Sequence, residues 1–325
     1  METEQQYFID NLDRAIKEGW IQVYHQPIIR AANGCVSEEE GLARWIDPKR
    51  GTLMPEQFIP VLEEAGLVCK LDLFVVEQIL EKMKQQASAG LYIVPESVNL
   101  SRRDFDSCDM VEEIRRRVDT AGFTRGKINI EIAESGLGAD FDFIREQVER
   151  FRSIGFHVWM DDFGSGFSSL DVLQSIRFDL IKFDRRFMRQ FDQGPKSRII
   201  LTELIKIAIG LGIDTVVEGV ETEEQAEFLK EIGATKLQGF YYTKPHSLKE
   251  LFERYRMGSQ IGFENPEESD YYATLGRMNL YDLTTATNDD ESIRNYFDTT
   301  PMAILESDDW ELMLVRGNQI VSSDL

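Results

Sequence analysis

Histidine and cysteine are both scarce in this chain of 325 residues, with three of each. Cys35, Cys69 and Cys108 are widely spaced and odd in number. They suggest neither a disulfide framework nor a zinc site, and fit a reducing compartment. With only His25, His157 and His246, a metal site would have to be built from oxygen ligands. That favours Mg²⁺ or Mn²⁺ over Zn²⁺. Long apolar runs are missing too, so no membrane segment is expected. The start, METEQQYFIDNLDRAIKEGW, is acidic and amphipathic rather than a signal peptide, and the expected location is the cytoplasm. Positive charge is short: 36 Lys and Arg against 58 Asp and Glu, a net charge of −22. Such a surface repels nucleic-acid polymers and anionic membranes, which excludes both as expected partners.

What remains is ordinary for a globular chain: 42% hydrophobic and 29% charged residues. The charge is uneven. Residues 259–325 hold 14 acidic and 3 basic side chains, so a fifth of the chain carries half the net charge. That shift divides residues 1–258 from an acidic C-terminal segment, 259–325. Residues 3–18 read as a lead-in helix with Phe8, Leu12 and Ile16 on one face. Strand-like runs then follow at 21–27, 36–45, 91–100, 127–134, 156–163, 178–184, 214–220 and 234–242. Helical stretches are expected at 55–66, 71–87, 108–119, 140–154, 197–211, 222–232 and 247–256. Asp140 precedes one of them, and Thr222 with Gln225 has capping-box spacing before another. Strands alternating with helices predict a TIM-like (β/α)8 barrel, with an open doubly wound sheet as the alternative. The first two strands depart from the alternation. Only the turn around Ala32-Asn33-Gly34 separates them, too short for a crossover, so the first strand should be antiparallel. The acidic segment predicts helices near 268–283 and 290–297, and two strands around an acidic turn in PMAILESDDWELMLVRGNQIVSSDL.

Polar residues recur at the C-terminal ends of the expected strands: Glu40, Asn99, Glu131, Asp161, Asp162, Lys182, Glu218 and Gln238. In a β/α barrel this end carries the active site. A single carboxylate there is as easily a helix cap or a solvated side chain. A polar residue at nearly every strand end needs another reason. Carboxylates crowded in a partly dehydrated mouth repel one another, and their pKa values rise. Divalent cations remove that conflict, and two of them about 3.5–4 Å apart clamp the attacking and leaving oxygens of a phosphoryl transfer. Lys182 and Asp184 fall on one side of a strand. The lysine either stabilises developing charge or pairs with Asp184. DDFGSGFSSL (161–170) adds a Gly/Ser turn directly after a strand that ends in two aspartates.

Taken together these motifs resemble the EAL-domain family, the phosphodiesterases of the second messenger cyclic di-GMP. The resemblance covers about residues 5–250. It rests on Gln26-Pro27-Ile28, Glu40-Gly41-Leu42-Ala43-Arg44-Trp45, SVNLS (97–101), EIAES (131–135), DDFGSGFSSL, IKFD (181–184), EGVET (218–222) and QGFYYTKP (238–245), in the family's order. It implies that Glu40, Asn99, Glu131, Asp161 and Glu218 are metal ligands, with Asp162 joining the second ion. It also implies that Lys182 orients the water, that Glu218 is the base, that Glu134 holds the Gly/Ser loop, and that Gln238 supports the water at the metals. Gln26, Leu42, Arg44, Asp184 and Pro245 are the implied substrate-binding positions, with Arg44 on a phosphate. The implied product is linear pGpG, and the implied assembly is a homodimer through the helix after the DDFG turn.

This chain departs from the family pattern at several positions. The signature tripeptide is Glu-Gly-Leu rather than Glu-Ala-Leu. Glu39 stands where an apolar residue is usual, Ala133 replaces a Thr, Phe167 a Tyr, and His25 a frequent Tyr. None removes an implied metal ligand. Glu39, Gly41 and Ala133 around otherwise intact ligands motivate one alternative, a non-hydrolysing cyclic di-GMP receptor, and the acidic C-terminal segment motivates another, an interaction module that does not handle nucleotide. Residues 301–318 resemble the start of a PAS-like domain, which predicts a natural protein longer at both ends, with a GGDEF domain upstream.

Overall fold

The computed structural model describes residues 4–137, 141–164, 169–265, 267–269, 271–272, 313–316 and 319–323. In chain order the strands are β1 (Ile21–Arg30), β2 (Val36–Asp47), β3 (Gly51–Leu53), β4 (Glu96–Leu100), β5 (Ile128–Ala133), β6 (His157–Phe163), β7 (Leu180–Phe183), β8 (Asp214–Val217), β9 (Lys236–Leu237), β10 (His246–Ser247), β11 (Met313–Arg316) and β12 (Gln319–Ser323). The helices are α1 (Glu4–Lys17), α2 (Pro55–Glu64), α3 (Val68–Ser88), α4 (Asp104–Ser107), α5 (Met110–Ala121), α6 (Phe141–Ser153), α7 (Ser169–Ser175), α8 (Arg186–Arg189), α9 (Pro195–Gly210), α10 (Glu223–Glu231) and α11 (Leu248–Met257).

Strands β2, β4, β5, β6, β7, β8 and β9 are successive parallel neighbours. β1 runs antiparallel to both β2 and β9 and closes the ring. The result is an eight-stranded β/α barrel with an antiparallel first strand. Pairing of β1 on both sides excludes the open doubly wound sheet. The turn works as its residues predict: Gly34 takes φ +70°, where glycine has no Cβ penalty. The Asn33 side-chain oxygen accepts the Cys35 N–H at 2.9 Å. Thr222 and Gln225 form the expected capping box on α10.

Several strands are shorter than their sequence runs, two of them by half or more. The run at 91–100 pairs only from Glu96, because Pro95 brings no N–H to a ladder. The run at 234–242 stops at Leu237. Gly239 there lies so close to the Val220 backbone that a Cβ would meet its carbonyl oxygen at 2.0 Å, so the chain turns instead. β3 and β10 are short antiparallel additions that sequence periodicity does not show.

The main core lies between the barrel wall and its helices, from Val75 and Ile79 of α3 through Ile114 and Val118 of α5 to Leu229 of α10. A second cluster seats α1: Phe8, Leu12 and Ala15 are buried, with Phe8 packed edge-on to Trp45 at 5.3 Å. One expectation is corrected here. Cys69 of α3 and Cys108 are joined as a disulfide. They lie 39 residues apart, and only the packing of α3 on the α4–α5 segment brings them together. Cys35 is free.

Beyond residue 258 the chain returns to the barrel base. Val36 N–H donates to Gly262 O, and Glu264 N–H to Val36 O. The buried Glu264 carboxylate accepts from Arg30 through Nε at 2.9 Å and Nη2 at 3.0 Å. β11 and β12 pair antiparallel, with Arg316 opposite Gln319; the acidic Ser307-Asp308-Asp309 stretch lies outside the described residues. Residues 267–269 and 271–272 are helical. The rest of 268–283, the helix expected at 290–297, most of the PAS-like run, Asp140 and Phe167 lie outside the described residues. Among the described residues no helix is long and apolar enough to cross a membrane.

Candidate active site

Parallel strands deliver their C-terminal ends to one mouth of the barrel, and alternation sends every second side chain inward. Register then levels the site. Asn99 of β4 lies opposite Glu131 of β5, and Ala133 of β5 opposite Asp161 of β6. Glu40 arrives from β2 and Lys182 from β7; Glu218 and Gln238 follow β8 and β9 directly.

Lys182 is the centre of the constellation. Its Nζ lies 2.8 Å from Glu131, 2.8 Å from Glu218, 3.2 Å from Glu40 and 3.4 Å from Asp161. The alternative pairing with Asp184 does not occur. Asp184 instead accepts from the backbone N–H and the Nε of Arg186, each at 2.7 Å. Glu40 also accepts from Asn99 Nδ2 at 2.9 Å and from Gln238 Nε2 at 2.8 Å. Glu134 accepts the Gly164 N–H at 3.0 Å and so holds the start of the Gly/Ser turn; residues 165–168 of that turn lie outside the described residues. Asp162 carries φ +57°, a left-handed conformation uncommon outside glycine.

Burial is the largest influence on every carboxyl here. Glu40 nonetheless stays below the usual range, because Lys182, Gln238 and Asn99 outweigh it. For Glu131 and Asp161 burial wins, helped by repulsion from Glu40, and both are raised. Glu218 is pushed up to about 8 by burial and by the Asp161 and Glu40 charges, against the pull of Lys182. Asp162 is pushed up to about 7 by burial and by Asp161 and Asp184. Burial lowers Lys182, but the surrounding carboxylates more than offset it and hold its pKa well above the ordinary value.

Four carboxylates thus face one ammonium in a mouth largely withdrawn from water, with Glu131 fully buried and Glu218 still partly exposed. That imbalance must be met by bound protons or by further cations. Buried Glu131 Oε1 and Gln238 Oε1 have no hydrogen-bond partner, and Asp161 Oδ1 has only the Lys182 ammonium at 3.4 Å. Orphaned acceptors of this kind, all oxygen, suit a hard divalent cation. Among the described residues, no three acidic, histidine or cysteine side chains are drawn around a common point at ligand spacing. The charge at their centre is that of Lys182. The donor chemistry therefore fits divalent ions, with the oxygens at present arranged around the ammonium.

At the rim, Arg44 is half-buried, its Nη1 donating to Ala43 O at 2.8 Å and its guanidinium 5.8 Å from the Tyr24 ring. Gln26 reaches Thr243 O at 3.5 Å. Leu42 is half-buried beside Arg44 on β2, and Pro245 precedes β10.

Sequence reasoning missed one arrangement behind the mouth. His25 Nδ1 lies 2.5 Å from Glu96 Oε1, and Lys82 Nζ donates to Glu96 Oε2 at 2.7 Å and to Glu39. All four are buried. Glu39 stood out by its charge, but nothing in the spacing of Lys82 links it to a strand.

The strand ends thus bring carboxylates, an amide and a lysine to one polar mouth of a β/α barrel. The chain belongs to the EAL domain family, which it matches over residues 9–245. It is 30% identical over 257 residues to the cyclic di-GMP phosphodiesterase NbdA of Pseudomonas aeruginosa, covering 78% of this chain and 33% of that one. It is 29% identical over 248 residues to the bifunctional diguanylate cyclase/cyclic di-GMP phosphodiesterase MucR of the same organism, covering 76% and 36%. The chain spans about a third of the length of these curated relatives. Among solved structures, the PaMucR phosphodiesterase in complex with c-di-GMP superposes with a TM-score of 0.71 at 28% identity, covering 75% of this chain and 99% of that one. The EAL enzyme Bd1971, bound to cAMP and cyclic di-GMP, gives 0.70 at 26%, covering 77% and 68%.

Proposed function

We propose that this chain hydrolyses cyclic di-GMP to linear pGpG in a reaction that depends on Mg²⁺ or Mn²⁺. The observation that carries the reading is the excess of carboxylates around Lys182, with unpartnered buried oxygens beside it. Glu40, Asn99, Glu131, Asp161 and Glu218 would hold two ions, with Asp162 on the second. Cations bound there would neutralise the cluster and supply Lewis acidity at the phosphate. The protein's own groups do the rest. Glu218, raised to about 8 without cations, would ionise beside them and accept the proton of the attacking water as the water oxygen bonds to phosphorus. The bond from phosphorus to the leaving sugar oxygen breaks, and that oxygen is protonated from solvent. Lys182 sets the water and opposes the charge that builds during attack. Arg44 holds a phosphate oxygen, while Gln26, Leu42, Asp184 and Pro245 shape the nucleotide's seat. Glu134 keeps the Gly/Ser turn in its working shape, and Gln238 steadies the oxygens around Glu40. The same reading makes the chain a homodimer paired through α7.

Of the departures from the family pattern, Glu39 does not disturb the mouth. Its charge points outward and is met by Lys82. Incubation with cyclic di-GMP and each metal, followed by chromatography, tests the proposal. The expected outcome is pGpG with Mg²⁺ or Mn²⁺ and none in EDTA. Binding without product would identify a receptor, and absence of binding an interaction module.

A further inference from the structure

β2 carries Glu40 inward, so its neighbours Glu39 and Gly41 both face outward, against α3. Both make unusual contacts there. A Cβ on Gly41 would stand 2.6 Å from Ile79 Cδ1 and 3.2 Å from its Cγ1. The missing side chain is thus a notch that the fully buried Ile79 fills. One turn along α3, Lys82 enters the wall between Glu39 and Glu96, and Glu96 is held from its other side by His25. Register explains the grouping: His25 of β1 lies opposite Gly41, and Glu96 of β4 opposite Glu39. The two residues flanking Glu40 are therefore both fastened to one helix, by shape on one side and by charge on the other.

We propose that Ile79 and Lys82 of α3 are positioning residues for Glu40, setting the depth of β2 through the Gly41 notch and the Glu39–Lys82–Glu96 bridge. This rests on the assignment of Glu40 as a cation ligand. It has a consequence opposite to the one sequence comparison suggests. Gly41→Ala, which restores the Glu-Ala-Leu tripeptide, should impair the site. Ile79 lies in a filled core, so the added methyl pushes the wall and α3 apart while the Lys82 bridge holds them together. Ile79→Val removes Cδ1, the atom at 2.6 Å, and leaves Cγ1 at 3.2 Å and the Ser97 carbonyl oxygen at 3.3 Å, contacts that a shift of about a few tenths of an ångström relieves, so it should make room for alanine.

The test measures Mn²⁺ affinity and cyclic di-GMP affinity by calorimetry, with folded fraction from circular dichroism. The variants are Gly41→Ala, Ile79→Val and the double substitution. Gly41→Ala is expected to weaken Mn²⁺ binding roughly 10–100-fold, as loss of supporting contacts around metal ligands does. The double variant is expected to return to within a few-fold of the parent. If Gly41→Ala does not fold, a double variant that folds and binds Mn²⁺ normally supports the proposal. Unchanged Mn²⁺ affinity in folded Gly41→Ala, or a double variant no better than the single one, overturns it. Neither readout needs turnover, so a parent protein that binds nucleotide without hydrolysing it would sink the proposed activity and leave this test intact. A parent that binds no Mn²⁺ would overturn the metal assignment and this proposal with it.

Discussion

At the scale of single residues, Lys182 decides most about this site. It is buried, contacts four carboxylates and does not pair with Asp184. Its contact with the charge that builds during attack strengthens as the transition state forms, so its loss should appear in kcat rather than in binding. Lys182→Ala is expected to keep cyclic di-GMP affinity within a few-fold while kcat falls roughly 10²–10³-fold. Parallel measurement of kcat and nucleotide affinity checks this, and a mutant as fast as the parent would refute the role. That a lysine stands at this strand end is legible in IKFD. Its partners are not, because Glu40, Glu131, Asp161 and Glu218 come from four other strands whose register the sequence does not state.

At the scale of elements, α3 meets the rest of the fold through acids as well as through Ile79 and Lys82. Asp72 of α3 and Asp104 of α4 are buried side by side, and Asp104 accepts the Ser101 N–H at 2.7 Å. Burial pushes Asp104 up to about 7, and burial with the facing Asp104 raises Asp72 well above the usual range. One acid therefore donates a proton to the other. The folded pair keeps protons that the unfolded chain has released above about pH 4. Where the folded state binds more protons, stability falls as pH rises. The contribution should be present in full below about pH 4 and lost as pH passes about 7 for Asp104, and higher for Asp72. Asp72→Asn substitutes an amide donor that does not titrate. Its melting temperature relative to the parent should climb from pH 5 to pH 8, measured by calorimetry in EDTA. A constant offset across that range would show that the pair shares no proton.

For the whole molecule, the crowded mouth should make stability depend on divalent ions. The site holds four carboxylates against one lysine, and ions that bind only the folded state stabilise it by mass action. At a concentration 100 times the dissociation constant this amounts to about 2.7 kcal/mol. Mg²⁺ or Mn²⁺ is expected to raise the melting temperature of the parent and not that of Asp161→Asn. In EDTA, Asp161→Asn should melt no lower than the parent, since it relieves repulsion among buried charges. A large drop in EDTA would instead make Asp161 a structural residue.

The sequence by itself determined the barrel, its antiparallel first strand and the inward row of polar strand ends. Those follow from periodicity, from a turn too short for a crossover, and from alternation along each strand, all of which are local. The family motifs are local as well. Tertiary structure alone decided which charges meet. Lys82 reaches Glu39 and Glu96, Arg30 closes on Glu264 across 234 residues, Cys69 joins Cys108, and Ile79 fills the space at Gly41. Each of these pairings depends on how far a helix or a returning segment sits from the barrel wall. That distance is set by the packing of many side chains at once, and no single stretch of sequence carries it.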